Sequence, residues 1–258
     1  MFKDQIVAIT GASGGIGRAM AQMFIAQGAK VAISDRGLPV DTAAEIGAKA
    51  YICDVSKEEN VVAFIDAVEA DLGPIDIFVS NAGVGFADGP HVAGTPNKQW
   101  ESSWQINVMS SVYAARRLMP RWIERKSGRF IITASAAGLL SQIGSASYTV
   151  TKHAAVAFAD SIAISHADDG IKVNCICPQY VRTNMTKGMR MAEEGQDDFL
   201  EPVDVANALL SAIKNDEFLV LPHEVVHAYS VGRAKDHSGW LKGMVKFRRS
   251  LKPENMPL

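Results

Sequence analysis

Seven short runs of this chain are apolar almost throughout, and longer stretches with apolar residues at helical spacing lie between them. The runs are Gln5–Thr10, Lys30–Ser34, Lys49–Cys53, Ile75–Ser80, Arg129–Ala134, Lys172–Cys177 and Glu217–Leu221. A strand covered on one face alternates apolar with polar side chains, whereas a strand covered by helices on both faces is apolar at nearly every position. Helical spacing occupies Gly15–Gln27, Val61–Leu72, Trp100–Arg125, Ser147–His166 and Val203–Lys214. Strand and helix in alternation require right-handed crossovers and build one sheet, so the expected fold is α/β, a doubly wound parallel β-sheet with helices on both faces. With 258 residues, no linker and no low-complexity tract, residues 1–258 are expected to form a single domain.

The first run ends in TGASGGIG, residues 10–17, directly before a helical stretch. Gly11, Gly15 and Gly17 fall where a dinucleotide-binding (Rossmann) turn needs a tight bend, close approach of backbone to a pyrophosphate, and close packing of helix on sheet. Free N–H groups at the start of the helix, with its positive dipole end, would face the phosphates, and Ser13, Gly14, Gly15 and Ile16 are expected cofactor-binding residues. Asp35 ends the second run and is suited to accept hydrogen bonds from both adenosine ribose hydroxyls, and its charge repels a 2′-phosphate. NAD is therefore favoured. Arg36 beside it keeps NADP possible, because a guanidinium can clamp that phosphate.

Composition removes several other classes of function. The formal charge of −2, from 26 basic and 28 acidic residues, leaves no footprint for nucleic acid. Cys53, Cys175 and Cys177 lack metal or redox spacing and read as core thiols of a reducing compartment. No stretch approaches the roughly 18 apolar residues of a membrane span, and the first residues lack a signal-peptide core. A soluble, cytoplasmic protein without a membrane partner is expected.

In SASYTVTK, residues 145–152, Tyr148 and Lys152 stand one helical turn apart and project to the same side. With the glycine turn, this pair makes the chain resemble the short-chain dehydrogenase/reductase family, single-domain type, over about residues 4–222. CDVS resembles the family's third-strand end and would put Asp54 and Val55 beside the adenine. SNAG resembles its Asn-Asn-Ala-Gly element with Ser80 in the first place, so Asn81, Ala82 and Gly83 imply contact with the cofactor and support of the sheet. WQINV, ITASAAG and SASYTVTK match at Asn107, Ser135, Tyr148 and Lys152. PQYVRT resembles the segment beside the nicotinamide, with Pro178, Val181 and Thr183 kept and Gln179 in place of a glycine, which alters an expectation about the loop's conformation.

The resemblance implies an NAD(P)-dependent oxidoreductase that interconverts a secondary alcohol and a ketone. An alcohol proton is too weakly acidic to leave unaided as its carbon gives up hydride. Tyr148 would take it, and moving a phenol from near 10 to about 7 or 8 means stabilising its anion by roughly 3–4 kcal/mol. Lys152 and the cationic nicotinamide are expected to supply that, with Lys152 also holding the nicotinamide ribose. Ser135 is expected to hydrogen-bond the substrate oxygen, and the Asn107 side chain to hold a water that relays protons from Lys152.

Two rival functions remain on the sequence. HEVVH, residues 223–227, matches the zinc pattern in which His223 and His227 bind the metal from one helix face and Glu224 activates water. Its extended form fails, since Ser230 and Arg233 occupy the further Gly and His places, so no metal is expected. The second rival is a non-catalytic NAD(H)-binding regulator, which would need the glycine turn but not Asn107, Ser135, Tyr148 and Lys152.

The segment from about 184 to 200 lies where the resemblance places a lid, and Met185, Met189 and Met191 would give it an adaptable apolar lining. GFADGPHVAGT, ending near Thr95, would form the opposite wall. The variable tail 223–258 carries Trp240, Met244 and Phe247 at near-helical spacing, as in an amphipathic helix covering the site or a neighbour. A small-molecule substrate with apolar surface is expected. The Ala-rich Ala154–Ala163 stretch and Trp100–Arg125 resemble the helices through which the family forms homodimers, commonly paired into homotetramers.

Overall fold

A computed structural model describes residues 1–187 and 199–251. It contains a seven-stranded sheet in the order β3-β2-β1-β4-β5-β6-β7, with every pairing parallel. The strands are β1 (Ile6–Thr10), β2 (Lys30–Asp35), β3 (Lys49–Ile52), β4 (Ile77–Ser80), β5 (Gly128–Thr133), β6 (Ile171–Ile176) and β7 (Leu219–Val220). The expected α/β fold is therefore observed. Order reverses between β1 and β4, which opens a crevice at the carboxyl ends of those strands, the place where such sheets bind ligands.

Helices cover both faces because the strands are apolar on both. On one face lie α3 (Glu58–Leu72), α5 (Ser110–Arg125) and α6 (Ala146–Ser165), whose Phe64, Leu118, Trp122 and Ala159 join Phe78 and Phe130 of the sheet in one core. On the other lie α1 (Gly15–Ala26) and α7 (Pro202–Lys214), which pack Met20, Phe24, Val205 and Leu209 on Val7, Ile9, Ile33 and Val79. Buried positions 17, 20, 21 and 24 of α1 follow the i, i+3, i+4, i+7 spacing of a single stripe.

The short α2 (Val40–Ile46) has no counterpart among the expected helices, and its seven residues are too few for a periodic signal. The expected helix Trp100–Arg125 divides into α4 (Asn97–Trp104), a π turn at Gln105–Met109 and α5. After β7 come α8 (Val225–Lys235) and α9 (His237–Ser250), which pack on each other. All three cysteines are buried free thiols, with the Cys175 and Cys177 sulfurs 3.9 Å apart. Among the described residues no helix is long and apolar enough to cross a membrane.

Candidate active site

The glycine turn is shaped by contacts that forbid larger side chains. Gly11 has φ +62°, and a Cβ there would lie 2.7 Å from Ala82 Cα. A Cβ on Gly17 would lie 2.5 Å from the Gly11 carbonyl oxygen and 2.6 Å from Asn81 Nδ2, so the helix meets the turn at bare backbone distance. The amino end of α1 begins after Gly14, with no side-chain cap on its N–H groups. These free donors and the dipole of a twelve-residue helix fit a pyrophosphate.

From this turn a cleft of about 330 Å³ runs along the carboxyl ends of the strands. Ser13, Gly14, Gly15 and Ile16 line it at the glycine turn, and Asp35, Arg36, Asp54 and Val55 line it beyond the ends of β2 and β3. Asn81, Ala82, Gly83, Tyr148, Lys152, Pro178, Val181 and Thr183 line the rest. The structure thus brings the expected cofactor residues to one cleft, apart from Gly17, which acts from behind the turn. Asp35 Oδ2 accepts from the Ser13 hydroxyl at 2.6 Å and its N–H at 3.2 Å, while Oδ1 accepts from the Arg36 N–H at 2.9 Å. Arg36 itself is exposed. At Asp54 the Ser56 hydroxyl, 2.7 Å away, holds the carboxyl below its ordinary range.

Asn81 ties three strands together. Its Nδ2 donates to the carbonyls of Thr10 (3.1 Å) and Gly11 (2.9 Å), and its Oδ1 accepts from the Thr133 hydroxyl at 3.1 Å. Ser80, in the family's first asparagine place, instead shares a buried 2.8 Å hydrogen bond with Ser111 of α5.

Tyr148 and Lys152 line the other end of the cleft, and buried Ser135 hydrogen-bonds the Tyr148 phenol. Asp88 sets the start of α6 by accepting the Ala146 N–H at 2.7 Å, one of the donors a helix leaves open at its first turn. Lys152, only 3% exposed, donates from Nζ to the Thr133 carbonyl at 2.8 Å and lies 5.5 Å from the Tyr148 ring centroid. Burial pulls the Lys152 ammonium down to about 8, partly offset by the Cys177 and Cys175 sulfurs. Burial also pushes the Tyr148 phenol above its ordinary value, with the Ser135 hydroxyl working in the opposite direction. The expected depression of Tyr148 by Lys152 is thus absent from the protein alone, because desolvation outweighs the nearby hydroxyl.

The structure shows bonds of the Asn107 side chain within the fold that its expected role did not include. Oδ1 accepts from the Val84 N–H at 2.9 Å, and Nδ2 donates to the Val84 carbonyl at 2.9 Å and to Thr151 Oγ1 at 3.0 Å. The amide ties the backbone of Val84 to α6 and so fixes the cleft wall, while Oδ1 keeps a second lone pair. Gln179 raises no strain where the family has glycine, since it is not among the non-glycine residues at positive φ.

The two histidines of the zinc pattern are held apart in their surroundings. His223 precedes α8 and is buried, accepting the Gln179 N–H at Nδ1 (3.1 Å) and bonding the Tyr180 carbonyl through Nε2 (3.1 Å). His227 is exposed on α8, so the two rings do not share a helix face, and among the described residues no three His, Cys, Asp or Glu side chains form a metal-holding group. Of the lid expectation, Met185 lies beside the cleft, and Met189 and Met191 fall outside the described residues. Sequence reasoning missed Thr133, Asp88 and the tether role of His223; a carbonyl acceptor carries no side-chain signal, and the other two act across long sequence distances.

Comparison with known proteins gives the chain's family. A family model described as short chain dehydrogenase matches residues 5–194. The chain belongs to the short-chain dehydrogenase family. A sorbose reductase of Candida albicans is 36% identical over 193 residues, covering 71% of this chain and 69% of the relative. The meso-2,3-butanediol dehydrogenase of Serratia marcescens is 34% identical over 216 residues, covering 80% of this chain and 82% of the relative. Among solved structures, a short-chain dehydrogenase/reductase from Burkholderia phymatum in complex with NAD superposes with a TM-score of 0.80 at 26% identity, covering 91% of this chain and 94% of that one. This member of the family is an oxidoreductase with the family's α/β sheet and nicotinamide-type cleft.

Proposed function

We propose that the protein interconverts a secondary alcohol and a ketone, with NAD(H) as the preferred dinucleotide. The observation that carries this reading is that Tyr148 and Lys152 line the cleft that starts at the glycine turn, with the Ser135 hydroxyl bonded to the Tyr148 phenol. When bound, the nicotinamide supplies the hydride acceptor for oxidation and the hydride donor for reduction.

The rest is work for this chain's own groups. In reduction, Tyr148 enters with its O–H intact, as its raised pKa favours, and donates that proton to the oxygen that gains negative charge. Ser135 donates a second hydrogen bond to the same oxygen and keeps it in line with Tyr148. Lys152 stabilises the phenolate that remains, and because its own ammonium sits at about 8 it exchanges protons readily near neutral pH. In oxidation the same atoms run in reverse, and Tyr148 receives the hydroxyl proton. Asn107 holds the wall formed by Val84, so that the substrate's bulk is kept over the reacting centre.

Asp35 supports NAD over NADP, since its carboxylate lines the cleft where it opposes a 2′-phosphate, although exposed Arg36 lines the same part of the cleft. The substrate end is lined by Val84, Ile106 and Met185, which suits a carbon skeleton with apolar surface. The two curated relatives, a sorbose reductase and a butanediol dehydrogenase, agree with hydroxyl–carbonyl chemistry.

A panel of secondary alcohols and ketones, read by absorbance of the reduced nicotinamide with both dinucleotides, tests the reaction. Tyr148→Phe is expected to abolish turnover while NADH binding stays within a few-fold. Turnover retained in that variant refutes the assignment, and tight NADH binding without hydride transfer across the panel points to a regulatory protein.

A further inference from the structure

The residue His223 belongs to no catalytic motif of the sequence once its zinc pattern is set aside, yet it is placed with care. It follows β7, the edge strand that pairs with β6 through Cys175↔Leu219 and Ile176↔Val220, and it lies beside the loop that leaves β6. At 7% exposure, its ring is bonded at both nitrogens to successive backbone groups of that loop. The Gln179 N–H can only donate, so Nδ1 must be bare; the Tyr180 carbonyl can only accept, so Nε2 must carry the proton. One neutral tautomer satisfies both partners, and either other state of the ring breaks a bond.

The loop so held faces the reacting end of the cleft. Pro178, Gln179, Val181 and Thr183 line it, and the Pro178 carbonyl accepts from the Ala136 N–H at 2.8 Å and from Ser135 Oγ at 3.4 Å. One end of the loop is therefore pinned to the Ser135 turn and its middle to His223. We infer that His223 is a positioning residue for hydride transfer: by bridging Gln179 and Tyr180 it fixes the loop that forms the floor of the reacting end relative to Ser135 and Tyr148. This inference rests on the proposed hydride-transfer reading of the cleft.

Two full-length variants separate positioning from mere packing. His223→Phe keeps a flat ring of similar size and removes both bonds, whereas His223→Gln keeps a donor and an acceptor on a side chain of similar reach. Displacement of reacting groups by an ångström costs up to about a hundredfold, so kcat of the phenylalanine variant is expected to fall roughly ten- to a hundredfold, with NADH affinity changed less. The glutamine variant is expected to recover part of that loss, and both to melt within a few degrees of the wild type. Wild-type kcat and KM in His223→Phe overturn the inference, as does equal loss in the two variants in proportion to lost folded protein. Histidine side-chain nitrogen resonances of the unmutated protein provide a test that needs no variant to fold: the Nε2–H tautomer is expected at neutral pH, and the Nδ1–H tautomer or a charged ring overturns it. If the wild type transfers no hydride to any panel compound, the functional reading fails separately; the bracing is then judged by NADH affinity, and His223→Phe binding as tightly as wild type removes it.

Discussion

Lys152 is costly to bury, and that cost has a measurable pH signature. Its ammonium titrates at about 8 in the folded chain against 10.5 for a free side chain, so between those values the unfolded chain binds more protons. Stability contributed at this site therefore rises as pH climbs from 8 to 10.5, and below 8 the full penalty, roughly 3 kcal/mol, is present. The variant Lys152→Met removes the penalty and leaves the Thr133 carbonyl without its 2.8 Å donor, a loss of about 1–3 kcal/mol that partly offsets the gain. Turnover is expected to vanish in Lys152→Met while stability at neutral pH stays within about 2 kcal/mol of wild type. Denaturant unfolding of both proteins across that window checks the sign: the wild type must gain on the variant as pH rises, and a flat difference contradicts the buried-cation account. Tyr148 titrates in both proteins and cancels from the difference to first order. Asp35 supplies a second prediction at this scale. Asp35→Ser removes the charge that opposes a 2′-phosphate and leaves Arg36 in place, so the ratio of kcat/KM for NADP to that for NAD is expected to rise more than tenfold, roughly the effect of 1.4 kcal/mol. An unchanged ratio shows that discrimination lies elsewhere. That Tyr148, Lys152 and Asp35 would share one cleft was legible in the sequence, because each stands at the spacing of a recognisable motif. The bonding of Asn107 was not, since Val84 and Thr151 reach it only through the folded chain.

The elements that set these residues were legible in kind more than in extent. Strands read as continuous apolar runs because both faces are covered, but β7 pairs over only two residues where five were expected, since it is an edge strand and pairing, not composition, ends it. The π turn at Gln105–Met109 escaped the periodicity altogether. One extra residue in a helical turn shifts register by about 100° without changing which residues are apolar. That shift lies at Asn107, whose amide reaches Val84 on one side and Thr151 on the other. Contact between α6 and the 3-10 turn Ala136–Gly138 gives the prediction at this scale. A Cβ on Gly138 would fall 2.5 Å from the Lys152 carbonyl oxygen and 2.9 Å from its carbonyl carbon, both backbone atoms that cannot rotate away. Gly138→Ala must therefore push α6 from the Ser135 turn, separating Ser135 from Tyr148. Overpacking of this kind costs about 1–3 kcal/mol of stability. The drop in kcat is expected to exceed tenfold even in protein that remains folded, because misplacement by about 1 Å weighs more on turnover than on packing. Wild-type kcat in a folded Gly138→Ala would show that this contact does not set the site.

At the scale of the whole molecule, the same helix that aims Tyr148 and Lys152 inward presents a row outward. Val150, Ala157 and Ile164 recur every seven residues, and Ala154 and Ser161 lie between them on the same side. Val150 is 47% and Ile164 80% exposed, an unusual state for β-branched apolar residues on a long helix whose Thr151, Ala155, Ala159 and Ile162 are buried. Trp104, at the end of α4, is 42% exposed. Small residues in the middle of such a row let a second helix approach closely, and a two-fold axis across it would place the row against its own copy. The chain is accordingly expected to scatter light as twice or four times its own mass. Ala157 sits at the centre, where an added side chain would meet its counterpart, so Ala157→Arg is expected to shift the mass toward the monomer. A wild-type monomer at micromolar concentration would leave the row without a partner copy. Because Tyr148 and Lys152 project from the opposite side of α6, the dissociated variant should retain NADH binding, and its turnover then reports how far the active site depends on the neighbouring chain.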